Sequence, residues 1–442
     1  FYSDYKFNLQ IPFQKFEWDS KITNYGLKYN WNHTISDNFK LNYGIDGLYY
    51  DFNPGTVRPY GVNSQYNYNQ LDKKYALETS AYLDVENQIT EKLNLRYGLR
   101  YSTFYRLGGE SISTYENGEA VVYNPLYHIY EEATPTGSTY YGKGKTISKF
   151  NNLEPRLALS YAFNDETSVK ASYNRMAQYI HMLSNTRAPL PMTIWTPSGP
   201  FTKPQMLDQY AVGFFKNFKE REYSFEGELF YKKIKNRIDY IDGANLLGNN
   251  NIEQDILNGE ARSYGMELLY RKNTGRFTGW VAYTLSKAEQ KTPGRTPQEP
   301  GIANGDWYLS GYDKLHNLNI TANYEFNAKW SFNANFTLQS GQPVTYPNGY
   351  YEFGERYIPN YTLRNSSRLP AYHHLDIGAT YTPKPDKKKG WQSYWVFSIY
   401  NLYNRQNAAS MMFSQNNNTG ANESKQLSIY GLVPGVSYNF KF

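Results

Sequence analysis

Apolar or aromatic residues return at every second position over long stretches of this chain, and that period limits the fold more than any other feature. From Tyr25 to His33 the odd positions are Tyr25, Leu27, Tyr29, Trp31 and His33, against Asn24, Gly26, Lys28, Asn30 and Asn32. After Ser36-Asp37-Asn38 the pattern resumes, with Phe39, Leu41, Tyr43 and Ile45 facing Lys40, Asn42, Gly44 and Asp46. This is a β-hairpin with one oily and one wet side. Leu77, Ala81, Leu83, Val85 and Ile89 alternate with Glu78, Ser80, Tyr82, Asp84, Glu86 and Gln88. Past a turn at Thr90-Glu91, Leu93, Leu95, Tyr97, Leu99 and Tyr101 oppose Asn94, Arg96, Gly98, Arg100 and Ser102. The last stretch repeats the alternation, with Val436, Tyr438, Phe440 and Phe442 against Ser437, Asn439 and Lys441.

So many oily faces need a cover, and lipid suits strands of this length. The chain has no uninterrupted apolar run of the roughly 18 residues that a spanning helix needs, which excludes spanning helices. A closed barrel satisfies its backbone between strands and needs apolar residues only at alternate positions. A mean hydropathy of −0.73 with 40% hydrophobic residues is therefore no objection. Arg96 and Arg100 on a polar face would each cost about 2–4 kcal/mol in hydrocarbon, so they are expected in a lumen, as are Asp84, Glu86, Glu226 and Glu228. The 18% aromatic content, including 46 Tyr, suits two interfacial girdles. The absence of Cys fits an exported chain without disulfides. The net charge of +6 is scattered in both signs and carries no nucleic-acid inference.

Further hairpins are predicted over 153–181, 209–235, 263–286 and 317–338, with a short charged connection at 383–389. Long segments lie between them at 53–73, 107–148, 182–206, 236–258, 289–311, 342–369 and 405–425. Alternating short and long connections are the asymmetry of an outer-membrane barrel with tight periplasmic turns and long extracellular loops. The count is about sixteen strands, including a partial one near Tyr2 to Leu9, and the fold class is an all-β transmembrane antiparallel barrel. No fixed repeat period is present. The sequence opens at Phe1 without a signal peptide, as expected of a mature chain or a fragment.

Several short pieces, in order, resemble the TonB-dependent outer-membrane receptors of the Bacteroidetes type. They are Ile89 to Ser102, Glu154-Pro155-Arg156 leading into Lys170 to Arg175, Ser263 to Glu267, Ser340-Gly341-Gln342-Pro343, Leu369 to Asp376 and Asn401 to Asn407. The resemblance implies a 22-stranded barrel filled by an N-terminal plug and energised through the TonB complex. This chain would be its C-terminal part, residues 1–442, with plug and first strands lying elsewhere. It also implies a signal for the barrel assembly machinery at Tyr438, Phe440 and Phe442, whose strand would seal the barrel against lipid.

Other motifs point to no chemistry. His373 and His374 are adjacent on a strand and cannot chelate one ion together. The Gly137 to Lys143 spacing lacks the Ser or Thr of a phosphate loop, since Gly144 follows. The runs at Asn249 to Asn251 and Asn416 to Asn418 lack the carboxylates of a calcium site. No Ser-His-Asp arrangement is defensible, so neither catalysis nor a cofactor is expected. The long loops are richer. Trp195, Trp307, Tyr350, Tyr351, Arg356 and Arg364 combine aromatic faces with guanidinium forks, which suits a ferric siderophore or similar chelate. Aromatics alone would also suit an oligosaccharide or peptide, and an even strand count leaves a passive porin as the rival reading.

Overall fold

Alternation organises the sheet as expected. In the computed structural model, which describes residues 1–12, 15–183, 194–246, 249–354, 356–361, 363–385, 390–416 and 422–441, one antiparallel sheet holds eighteen strands. Two of them are residue pairs, Asn69–Gln70 and Tyr308–Leu309. The other sixteen pair in chain order: β1 (Tyr2–Ile11), β2 (Phe16–Ser36), β3 (Phe39–Pro59), β4 (Lys74–Gln88), β5 (Leu93–Leu107), β6 (Thr146–Asn164), β7 (Thr167–Gln178) and β8 (Gln205–Phe218). Then follow β9 (Tyr223–Tyr240), β10 (Ile256–Lys272), β11 (Phe277–Lys291), β12 (His316–Glu325), β13 (Trp330–Gln339), β14 (Tyr372–Tyr381), β15 (Gln392–Tyr400) and β16 (Val433–Lys441). Among the described residues β1 pairs only with β2 and β16 only with β15.

Because neighbours in the chain are neighbours in the sheet, connections fall alternately at its two ends. The short ones, 37–38, 89–92, 165–166, 219–222, 273–276, 326–329 and 382–391, share one end; the long ones share the other, together with the brief 12–15. The long segments build hairpins of their own, at Glu110–Thr114 with Gly137–Tyr141, Ile180–Leu183 with Ile194–Pro197, Pro347–Phe353 with Arg356–Tyr361, and Ser410–Gln415 with Asn422–Leu427.

The strands also run further than the sequence pattern predicts. β3 reaches Pro59, β9 reaches Tyr240, and β6 already begins at Thr146. β2 and β9 exchange their faces near the long-loop end. On β2 the exposed Tyr25, Leu27, Tyr29 and Trp31 give way on the same face to Thr23, Lys21 and Asp19, while Lys28, Gly26 and Asn24 give way to Ile22, Trp18 and Phe16. On β9 the face that carries Tyr223, Phe225, Leu229 and Tyr231 continues as Lys233 and Lys235. Period two persists, but with its polarity reversed, as expected where strands leave hydrocarbon for water.

The turn from apolar-out to polar-out marks the edge of the lipid band. Tyr231 stacks on Tyr264 and Tyr223 on Tyr270, a ring pair at each end of the same two strands. From Tyr223 to Tyr231 is about 27 Å of strand at roughly 3.4 Å per residue. Tilted by about 40°, this makes about 21 Å of height, close to the roughly 25 Å apolar band of such barrels.

The polar face is the concave one. Phe52 of β3, Ala76 of β4 and Phe104 of β5 share that face and are buried in one cluster with Tyr179, which follows β7, and with Trp195, which precedes β8. Segments so far apart in order meet through side chains of that face only if the sheet curls around it.

The resemblance segment at Asn401 to Asn407 has a local cause. Asn401 is fully buried in the left-handed region (φ 52°), its Nδ2 donating to Arg405 O (2.8 Å) and its Oδ1 accepting from Arg405 N (3.0 Å). Asp376 Oδ1 accepts from Asn401 N (2.9 Å), which pins this knot to β14. Asn suits the site because it tolerates this backbone conformation and supplies both a donor and an acceptor.

Candidate functional site

The long loops gather over the concave face, and one of them folds into it. Tyr179, just after β7, lies parallel to Phe104 of β5 with ring centroids 4.7 Å apart, both buried with Phe52 and Ala76. The Tyr179 hydroxyl accepts from Asn152 Nδ2 (2.7 Å) and lies 2.7 Å from Ser102 Oγ, which in turn donates to Glu154 Oε1 (2.5 Å). Next in the chain, buried His181 places Nε2 2.9 Å from Ser198 Oγ and Nδ1 3.2 Å from Gln205 Nε2. Since Gln Nε2 is a donor, Nδ1 accepts and Nε2 carries the proton. Burial, reinforced by Arg237, lowers the His181 pKa to about 4, so the ring is neutral at ordinary pH. Arg106 completes the strap, giving two bonds to Glu110 (2.8 and 2.9 Å) and one to Pro197 O (3.0 Å).

A second set of contacts closes the mouth from the other side. Arg364 is bonded to Asp239 Oδ1 (2.9 Å), to Tyr240 O (2.9 Å) and to Asp242. Tyr308 donates to the same Asp239, and Asn365 Nδ2 donates to Leu309 O (2.7 Å). Arg368 holds Asp313 and donates to Gly341 O (3.0 Å). The segment after β13 is thus moored to the ends of β9 and β11.

The loop residues singled out in the sequence are not all brought together. Trp195 lies in the inward strap, half-buried against the Phe52, Ala76 and Phe104 cluster. Tyr350 and Tyr351 sit on the 347–353 ribbon, Tyr351 exposed. The side chain of Arg356 lies outside the described residues, and Arg364 is committed to Asp239 and Asp242. Trp307 is elsewhere: the Arg262 guanidinium lies over its ring at 4.0 Å, and Arg262 shares the lipid-side face of β10 with Tyr264. That position is outside the wall, above the upper girdle. Tyr438 and Phe440 are exposed beside Trp395 and Trp391 (centroids 4.7 Å in each pair), while Phe442 lies outside the described residues.

The polar face carries the charges expected of a lumen. Arg96 pairs with Asp84, and Arg100 with Asp46 (2.7 Å), while Glu86 lies opposite Arg96 in register. Glu226 meets Arg271 (3.6 Å), and Glu228 lies directly across from Glu267. On β12 and β13 the same face is lined by amides and hydroxyls: Thr321 Oγ1 donates to Asn335 Oδ1 (2.9 Å) and Thr337 Oγ1 to Asn319 Oδ1 (3.2 Å), while Asp376 of β14 lies directly across from Asn335. His373 and His374 use separate partners, Tyr403 (2.7 Å) and Asp376 (2.8 Å). Among the described residues no group of three or more His, Cys, Asp or Glu is placed to hold a metal ion. Phe104, Tyr179 and His181 were not foreseen as parts of the mouth, although an aromatic ring in the otherwise polar register of β5 is a signal that could have found the first.

A family described as TonB dependent receptor-like, beta-barrel, matches residues 1–404. No curated protein matches the chain in sequence. Among solved structures, the ferric-catecholate import receptor Fiu from E. coli K12 is 14% identical with a TM-score of 0.56, covering 96% of this chain and 55% of its own. The FrpB iron transporter from Neisseria meningitidis (F5-1 variant) is 15% identical with a TM-score of 0.57, covering 96% and 56%. BauA, the ferric preacinetobactin receptor from Acinetobacter baumannii, is 15% identical with a TM-score of 0.54, covering 96% and 55%. The chain spans about half the length of these proteins.

Proposed function

The chain belongs to the TonB-dependent receptor β-barrel family, a family of outer-membrane proteins, and on that premise we propose that it serves active import of a scarce, bulky nutrient captured at the extracellular loops. A ferric siderophore or similar anionic chelate is the favoured cargo. The observation that carries this reading is the mouth itself, where Trp195, Tyr350 and Tyr351 lie on loops above a charged lumen and Arg364 moors one of those loops to the wall. The iron-related names of the three structural neighbours belong to those proteins; at 14–15% identity they support the fold, and they agree with the cargo proposed here.

In this reading the chain is the C-terminal part of a 22-stranded barrel. The plug, the first strands and the segment that engages the TonB complex belong to the remaining length, and Tyr438, Phe440 and Phe442 address the chain to the barrel assembly machinery. A second reading, uptake of an oligosaccharide or peptide by the same type of receptor, draws on the amide-lined wall of β12 and β13, whose Asn and Thr side chains suit hydroxyl-rich or amide-bearing solutes.

The test is uptake by a strain that lacks the gene and is complemented with variants of it. Replacing Trp195, Tyr350 and Tyr351 together by Ala is expected to lower uptake of a labelled ferric chelate by about tenfold or more, as loss of a few anchoring aromatics does. Trp307→Ala, outside the wall, should have the smallest effect. Unchanged chelate uptake by the triple variant would refute the loop assignment, and growth on an oligosaccharide or peptide alone would favour the second reading.

A further inference from the structure

One feature of the concave wall is absorbed by neither the loops nor the strand pairing. Gly98 lies on the polar face of β5 between Arg96 and Arg100, with Asp84 of β4 on one side and Arg156 of β6 on the other. A Cβ there would fall 2.8 Å from Leu83 O and 3.0 Å from Asp84 Oδ1, so the position stays bare. Gly44 on β3 repeats the arrangement, since a Cβ would fall 2.4 Å from Tyr29 O and 2.9 Å from the Tyr82 hydroxyl, itself bonded to Asn30 Oδ1 (2.6 Å). A cavity of about 250 Å³ lies over Gly98 in the wall, bounded by Lys28, Asn42, Tyr82, Asp84, Arg96, Arg100 and Arg156.

Its four cations are not equivalent. Arg96 is held by Asp84 through Nε (2.8 Å) and Nη2, and Arg100 by Asp46 (2.7 Å) with Glu78 behind it (3.9 Å). The side chains of Lys28 and Arg156 are exposed and have no ion-pair or hydrogen-bond partner among the described residues. The surrounding wall is nearly balanced in charge, with Glu86 opposite Arg96, so any attraction is short in range. We propose that this glycine-floored cavity is a carboxylate-binding cradle in which Lys28 and Arg156 grip the anion, and Asn42 and Tyr82 line it. An Arg fork and a Lys point charge around a bare backbone suit a planar, two-oxygen anion. The carboxylate belongs either to a solute in the lumen or to an acidic side chain of polypeptide lying there.

Calorimetric titration of the folded protein in detergent micelles tests this, with citrate as one probe and a hexaglutamate peptide as the other. Saturable binding is expected for the unaltered protein. Lys28→Gln combined with Arg156→Gln should weaken it by about tenfold or more, as loss of two partly screened charges allows. Arg156→Lys, which keeps the charge, should retain most of the binding, and Arg271→Gln, at a luminal ion pair elsewhere, should leave it unchanged. Citrate binding assigns the cradle to a solute; binding of hexaglutamate alone, with the same loss in the double variant, assigns it to polypeptide. If the unaltered protein binds neither probe, or the correctly folded double variant binds as well as the unaltered protein, the cradle does not exist. Uptake by the loop variants reads other residues, so the two proposals fail separately.

Discussion

Phe104→Ala is expected to detach the inward strap from the wall and to cost about 3–5 kcal/mol, the range for removing a fully buried Phe. Phe104 has no exposed surface, and its ring is the platform on which Tyr179 lies; Phe52 and Ala76 complete the pocket. Truncation leaves a void that rigid strands cannot close, because the backbone of β5 is held on both sides by β4 and β6. The Tyr179 hydroxyl would then lose its aim at Ser102 and Asn152, and those buried polar groups would be left short of partners. The loss should be local. Hydrogen exchange at Ser198 N, which donates to Tyr179 O (2.7 Å), should quicken strongly, while the amides of β9 and β10 keep their protection. Unaltered protection at Ser198 would mean that the strap is held by its own loop contacts and not by the wall.

The second large effect contrasts two neighbouring residues. Leu229→Arg puts a charge on the lipid-side face of β9 between the Tyr223 and Tyr231 rings, at an expected cost of about 2–4 kcal/mol. Glu228→Arg, one residue earlier, puts the same charge on the luminal face, directly opposite Glu267. Two like charges face each other there, and Arg would replace repulsion by attraction, so stability should change by no more than about 0.5 kcal/mol in the unfavourable direction. Denaturant midpoints of the two variants folded into lipid vesicles make the comparison. Equal losses would show that side-chain orientation does not decide the cost.

Much of the wall was legible in the sequence because lipid imposes one rule on every strand. Tyr25 to His33 and Leu93 to Tyr101 announce their period and their wet face without reference to any other strand. The same rule hid the strand ends. On β2 the rule inverts above the lipid band, and Phe16, Trp18 and Ile22 point inward while Asp19 and Lys21 point outward, so a search for one oily face stops too early. The mouth was legible only in composition. An Arg in a loop announces a guanidinium, but Arg364 is occupied by Asp239 and Asp242, far away in the chain, and no local pattern encodes that pairing. Trp195 and Trp307 read alike in sequence, yet one packs inside the wall and the other outside it.

The charged face of the sheet encloses water and the aromatic face meets lipid, and single cysteines distinguish the two directly. Because the chain contains no Cys, single cysteines placed in turn from Glu226 to Tyr231 can be read without background. With the protein folded in lipid vesicles, a water-soluble maleimide should label positions 226, 228 and 230 and leave 227, 229 and 231 unlabelled until detergent is added. Labelling of all six alike, or of the odd positions only, would contradict the account.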